Sequence, residues 1–382
     1  MSTRQADPGR DRFMGMALEM ARRAAGRTAP NPMVGAVIVV DGQVVAEGHT
    51  RPPGQDHAEV DALRRVPAGV DLRQATMYVT FEPCCHHGRT PPCTDAILKS
   101  GLGAVVVGTI DPFPLVAGRG IRILQEAGLQ VAVGVREREC RRQNLGFIRA
   151  IRHGLPTVTV KAAQSLDGRI AAADGGARWV TGPAAREVGH QLRDQHDAIL
   201  VGIRTVLADD PALTTRSPGG RDAAVAVLDS QLRIPENAKL FEANRPVFLF
   251  CSASAPERAL PAPVFRVPDA PRGLDLDAVL RVLVAAGQHR VLAEGGGEVH
   301  RSLLAGAYVD QMELFVSPRV LAGGAPVVGG PGFSLAGAPS FRLRAAVPLG
   351  DDLHLSLEST RDEILLDPVL YEPGAVDVHR AG

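Results

Sequence analysis

Apolar positions recur along this chain in two rhythms, and the switches between them mark out its elements. Phe13, Met16, Ala17, Met20, Ala21 and Ala24 follow a helical period and Gly26 sits where a cap belongs, so residues 11–25 predict an amphipathic helix. Apolar runs over 34–40 and 44–46 are joined by Asp41-Gly42, the dipeptide that suits a tight type I′ turn, and predict a hairpin. Short strands and helices then alternate: helix over 58–65, strand 76–80, helix 94–99, strand 104–107, helix 121–127, strand 131–135 and a further helix ending near His153. Strand–helix alternation of this kind predicts a three-layer α/β/α domain.

Gly154-Leu155-Pro156 then breaks the chain ahead of a fresh strand over 157–162. Further apolar runs near 198–201, 224–229, 247–251, 291–293, 312–316 and 353–357 repeat the α/β style. With 382 residues, two separate cores are expected, because one core seldom grows past about 250–300 residues. The predicted domains are 1–153 and 154–360, followed by a tail, 361–382, without clear periodicity.

Composition narrows the function classes. Basic and acidic residues number 42 each, so the chain lacks the broad positive field on which nucleic-acid binders rely, and a small-molecule partner is favoured. The opening residues, MSTRQADPGRDRF, contain no apolar signal region, and no apolar run approaches the roughly 18 residues of a membrane helix. A cytoplasmic protein is expected. Of five cysteines, three crowd between positions 84 and 93, which points to metal binding or catalysis rather than to a disulfide framework.

His57-Ala58-Glu59 opens a predicted helix, Pro83-Cys84 follows a predicted strand, and Cys93 stands nine residues later. Two thiolates and one imidazole hold zinc with a fourth position left for water, the arrangement of catalytic rather than structural sites. Zinc supplies a nucleophile at neutral pH, and a nearby carboxylate, here Glu59, carries the proton to departing ammonia. Zinc-dependent nucleobase deaminases share an HxE motif followed by PCxxC. Here eight residues instead of two separate the cysteines, in PCCHHGRTPPC. Cys85, His86 and His87 are alternative ligands, ranked behind Cys84 because it alone follows the proline.

TAPNPMVGAVIV, HAEV, FEPCCHHGRTPPC and DPFPLVAGRG resemble the deaminase half of the bifunctional riboflavin-biosynthesis deaminase-reductase family. The resemblance implies a cytidine-deaminase-like fold acting on a phosphoribosylated diaminopyrimidinone, with Asn31 and Asp111 as substrate contacts. The family usually reads Asp-Pro-Asn-Pro where this chain has Asp111-Pro112-Phe113-Pro114, and a phenyl ring cannot make an amide's hydrogen bonds. Two other readings therefore compete: a related enzyme with an altered substrate, and a non-catalytic zinc module.

KAAQSLDGRIA, WVTG, TVLADDPALTTR and AEGGGEVHRSLL resemble the reductase half of the same family. That half implies a dihydrofolate-reductase-like α/β domain, NADPH as cofactor and opening of the ribose to a ribityl phosphate chain. The resemblance assigns the cofactor to Gln164, Trp179, Thr205, Asp209, Gly296, Gly297, Glu298, Val299, His300, Arg301 and Ser302. It assigns substrate to Arg193, Leu213, Arg216 and Glu294. From the residues alone, Gly295-Gly296-Gly297 between a strand and a helix suits a pyrophosphate on bare amides, and the two arginines suit a phosphate. Trp179, the sole tryptophan, is by default a core residue. A homo-oligomer is expected.

Overall fold

The computed structural model describes residues 8–176 and 179–361, so Ala177 and, from residue 362 on, the predicted tail lie outside the described residues. Internal contacts divide the chain into two units, the first ending at His153 and the second beginning at Gly154.

In the first unit, α1 (Pro8–Arg22) leads into the hairpin β1 (Gly35–Val40) and β2 (Gln43–His49). Asp41 and Gly42 both have positive φ, 47° and 73°, as a type I′ turn requires. There follow α2 (Ala58–Leu63), β3 (Thr76–Phe81), α3 (Cys93–Ser100), β4 (Ala104–Thr109), α4 (Arg119–Glu126), β5 (Gln130–Val133), α5 (Glu137–Gln143) and α6 (Leu145–His153). The sheet order is β2-β1-β3-β4-β5, with β1 antiparallel to both neighbours and β3, β4 and β5 mutually parallel.

Successive strand residues face opposite ways, and the core follows that alternation. Val37, Val39, Tyr78 and Val106 pack with Phe13, Met14 and Ala17 of α1 and with Cys140 of α5. Ala36, Ile38, Met77, Val79, Val105 and Val107 pack instead with Ala58 and Ala62 of α2, Ile97 of α3, and Ile121 and Leu124 of α4. This is the α/β/α sandwich read from the sequence. Gly48 is needed where β2 meets α2, since a Cβ there would lie 2.3 Å from Ala62 N and 2.4 Å from Ala58 O.

The second unit carries β6 (Thr157–Ser165), α7 (Pro183–Gln195), β7 (Ala198–Gly202), α8 (Ile203–Asp209), β8 (Ala224–Leu228), β9 (Val247–Ser252) and β10 (Val264–Val267). It continues with α9 (Leu276–Ala285), β11 (Arg290–Ala293), α10 (Gly297–Ala305), β12 (Val309–Ser317), β13 (Phe341–Leu349) and β14 (Asp352–Ser359). These strands form one nine-stranded sheet, parallel from β10 through β9, β8, β7, β11 and β6 to β12, and closed by the antiparallel pair β14 and β13. The near-continuous apolar runs of β7, β8 and β9 follow from burial on both faces. Ala198, Leu200, Ala224 and Ala226 face α9 and α10, whereas Ile199, Val201, Val225 and Val227 face Ile203 and Val206 of α8.

Candidate active sites of the two units

Three chain ends converge in the first unit. His57 is the N-cap residue of α2, Cys93 is the first residue of α3, and Cys84 lies three residues past the end of β3. Their donor atoms all lie within 4.8 Å of one another. His57 Nδ1 is 3.2 Å from Cys93 Sγ and 3.5 Å from Cys84 Sγ, and the sulfurs are 3.4 Å apart. Such spacings approach the roughly 3.3–3.8 Å edges of a tetrahedron whose metal bonds are about 2.0–2.3 Å long, so the donor set fits zinc. The second imidazole nitrogen, Nε2, lies 3.4 Å from Thr90 Oγ1, which turns Nδ1 toward the sulfurs. Cys84 Sγ accepts the backbone N–H of Cys93 at 3.3 Å. A hydrogen bond from the Cys93 thiol, with help from His57, pulls the Cys84 thiol down to about 4.

Glu59, in the first turn of α2, is only 3% exposed. Burial, reinforced by negative charge on Cys84, pushes its carboxyl up to about 7. A carboxyl so balanced gains and loses a proton near neutral pH, as a proton carrier must.

Asp111 is buried just past the end of β4, and burial lifts its carboxyl to about 7 as well. Its Oδ1 accepts the N–H of Phe113 at 2.8 Å. The Phe113 ring faces that of His86 at 5.7 Å, and Cys85 Sγ reaches Leu115 O at 3.6 Å. Cys85 and His86 thus contact the 113–115 segment, while Cys84 joins His57 and Cys93. Asn31 is half-buried ahead of β1, where its N–H bonds Thr28 O. Asn144, which sequence reasoning missed, clamps the adjoining segment by pairing its amide with both Met33 N and Met33 O.

In the second unit a cavity of 710 Å³ opens at the carboxyl ends of parallel strands, the usual ligand position in open α/β sheets. Trp179, Thr205, Asp209, Glu294 and the α10 residues from Gly296 to His300, with Ser302, line it. Gln164, Arg193, Arg301, Leu213 and Arg216 are not among the lining residues. Leu213 is buried at φ 52°, Arg216 is exposed, and Arg301 stacks over Phe333 at 4.0 Å. The Gln164 carbonyl oxygen is buried with no hydrogen-bond partner. Trp179 is not a core residue: it is 57% exposed, with the Arg186 guanidinium 4.6 Å from its ring.

Arg193 is engaged in a buried ion pair. Its Nε and Nη2 donate to the two oxygens of Glu294 at 2.6 and 2.9 Å, and Nη1 donates to Thr214 O at 3.0 Å. Lys161 Nζ approaches the same carboxylate at 3.6 Å. The two cations, acting against the cost of burial, hold the Glu294 carboxyl down at about 2. Lys161 lines the cavity; it opens the KAAQSLDGRIA motif, but the sequence alone assigned it no role. The triplet's glycines serve packing too: a Cβ on Gly297 would lie 2.5 Å from Pro326 O.

A metal-ready donor set beside a buried carboxyl in one unit and a cavity at the strand ends in the other are the arrangement of a two-site enzyme. The profile for the cytidine and deoxycytidylate deaminase zinc-binding region matches residues 9–109, and that for the RibD C-terminal domain matches 156–355. The riboflavin biosynthesis protein RibD of Bacillus amyloliquefaciens is 40% identical over 355 residues, spanning 90% of this chain and 95% of that one. The Escherichia coli K12 protein of the same name is 38% identical over 362 residues, spanning 90% and 98%. A crystal structure of the Thermotoga maritima diaminohydroxyphosphoribosylaminopyrimidine deaminase/5-amino-6-(5-phosphoribosylamino)uracil reductase superposes with a TM-score of 0.84 at 34% identity, covering 92% of this chain and 99% of that one. Acinetobacter baumannii RibD gives 0.83 at 36% identity, covering 92% and 99%. The chain belongs to the RibD family, the bifunctional deaminase-reductases of riboflavin biosynthesis. Among the described residues, no helix is long and apolar enough to cross a membrane.

Removing the anion leaves the partly buried Arg193 guanidinium and Lys161 ammonium without their shared partner, so Glu294→Gln is expected to cost about 1–3 kcal/mol in denaturant unfolding at neutral pH. The folded-state value of Glu294 lies below the ordinary 4.5, so its contribution is full above 4.5 and drains as pH falls toward about 2. Stability measured across that window is expected to fall more steeply for the natural chain than for the variant. Parallel curves would contradict the assignment.

Proposed function

We propose that the first unit deaminates 2,5-diamino-6-(5-phosphoribosylamino)pyrimidin-4-one and that the second reduces the product's ribose to a ribityl phosphate chain with NADPH. The observation that carries this reading is the meeting of His57, Cys84 and Cys93 beside buried Glu59. Those three residues would hold zinc, which would supply Lewis acidity that makes water nucleophilic near neutral pH. Glu59 takes a proton from attacking water and delivers it to the ring amine; the C–N bond breaks, ammonia leaves, and the hydroxyl's remaining proton passes to the ring nitrogen as the carbonyl forms. Asn31 and Asp111 grip the pyrimidine. Residues 1–153 form the deaminase domain, 154–360 the reductase domain and 361–382 a tail.

In the reductase domain Trp179, Thr205, Asp209 and the α10 N-terminus, from Gly296 and Gly297 through Glu298, Val299, His300, Arg301 and Ser302, bind the cofactor together with Gln164. Arg193, Leu213, Arg216 and Glu294 serve the substrate side. Preference for NADPH over NADH is supported by the exposed guanidiniums of Arg204, Arg233 and Arg272 along the cavity, which suit a 2′-phosphate. The nine-residue edge strand β13, with Leu343 55% and Val347 44% exposed, supports self-association; a monomer by light scattering would remove that part. The reading includes a cytoplasmic location, where thiolate ligands stay reduced, and all five cysteines are free.

Product masses from purified protein with the diaminopyrimidinone phosphate test the reading. Without NADPH an amino group is expected to be exchanged for oxygen, and with NADPH two further hydrogens are gained. Glu59→Ala is expected to retain zinc and to lose deamination by about 10²-fold or more while reducing deaminated substrate normally; undiminished deamination would remove Glu59 from the chemistry. For Arg233→Ala, KM is expected to rise about tenfold for NADPH and little for NADH. Equal rises would place Arg233 away from the 2′-phosphate.

A further inference from the structure

One buried carboxylate near the deaminase centre takes no part in metal binding or proton transfer. Glu82, 4% exposed, stands between the end of β3 and Pro83-Cys84. Its Oε2 accepts the backbone N–H groups of Asp111 at 3.1 Å and Gly118 at 2.9 Å. Its Oε1 accepts those of Gly120 at 3.0 Å and Ile121 at 3.3 Å. An ionised carboxylate offers about four acceptor positions, so these amides occupy it fully. Two of them belong to the first turn of α4, and the other two bracket the 111–118 loop that leads there.

Capping α4 would need only the amides of Gly118, its N-cap residue, and of the first turn. The remaining bond, to Asp111, holds the far end of the loop, and the loop lies against the ligand-bearing segment. Cys85 Sγ meets Leu115 O, the His86 ring faces Phe113, and a Cβ on Gly120 would lie 2.2 Å from Pro83 O. We infer that Glu82 is a positioning residue of the deaminase, holding the Asp111–Phe113 wall of the pyrimidine pocket against the Cys84–His86 segment before substrate arrives. This rests on the reading of His57, Cys84, Cys93 and Glu59 as a pyrimidine deaminase centre. Preformed walls lower the ordering cost of binding, so their loss is read in KM before kcat.

The test uses the full chain. Glu82→Gln puts an amide NH₂ where two backbone N–H groups point, and it is expected to raise deaminase KM about tenfold with a smaller change in kcat. Zinc content and the reductase rate on deaminated substrate are expected to stay at natural levels. Glu82→Asp, which keeps the charge, is expected to recover part of the KM loss. Amide exchange at Asp111, Gly118, Gly120 and Ile121 is expected to quicken in Glu82→Gln while the β3 amides hold. If KM stays unchanged while stability falls, Glu82 merely caps α4 and the proposal is overturned. Should Glu82→Gln not accumulate folded, Gly120→Ala presses on the same contact with the carboxylate intact; a natural KM there also overturns it. Failure of the natural chain to deaminate the pyrimidine would instead overturn the deaminase reading, and the exchange pattern would still decide the role of Glu82 in the loop.

Discussion

The first unit is organised around one geometric requirement: an imidazole and two thiols, separated by up to 36 residues, must bring their donor atoms within 4.8 Å of one another, the spacing that the proposed zinc site needs. No single element meets it. His57 and Cys93 arrive at the N-terminal ends of α2 and α3, and Cys84 arrives on the segment leaving β3. Both helices pack on one face of the sheet through Ala58, Ala62 and Ile97, so the core that stabilises the sandwich also aligns the ligands. Gly48 allows α2 to sit directly on β2, and Glu82 fastens the opposite wall.

The second unit solves a related problem with charge instead of metal. Glu294 follows β11, Lys161 rides on β6 and Arg193 on α7, and their ion pairs gather the walls of the cavity where the parallel strands end. A buried pair of this kind contributes little net stability, because desolvation offsets most of the attraction, but losing one partner is costly. Its value lies in fixing side chains beside the cavity. The phosphate-gripping role inferred for Arg193 has to be shared with Glu294, which already holds both terms of its fork.

Much of this was legible in the sequence because the signals are short. Asp41-Gly42 specifies its turn locally, the β3 and β4 runs declare themselves by β-branched residues, and His-x-Glu with Pro-Cys carries the metal chemistry within a few positions. What stayed hidden acts over distance. Glu82 reaches amides 29 to 39 residues away, and a glutamate before a proline has no local mark of such a role. Asn144 clamps Met33 across 111 residues, and Arg193 finds Glu294 across 101. Size alone would bury the sole tryptophan, but its ring lines the cavity, as the resemblance implied for the cofactor site, keeps one face open and finds Arg186 instead of a core. The edge strand β13 was missed because Arg342 and Arg344 interrupt its first half and Pro348 within its apolar run argues against a strand.

If the converging donors hold zinc as proposed, they form an open, three-ligand centre with Cys85 outside it. X-ray absorption at the zinc edge of the purified protein reads this directly. Two sulfur neighbours at about 2.3 Å and two lighter nitrogen or oxygen neighbours at about 2.0–2.1 Å are expected. Three sulfurs in the shell would bring Cys85 into a closed structural site and contradict it.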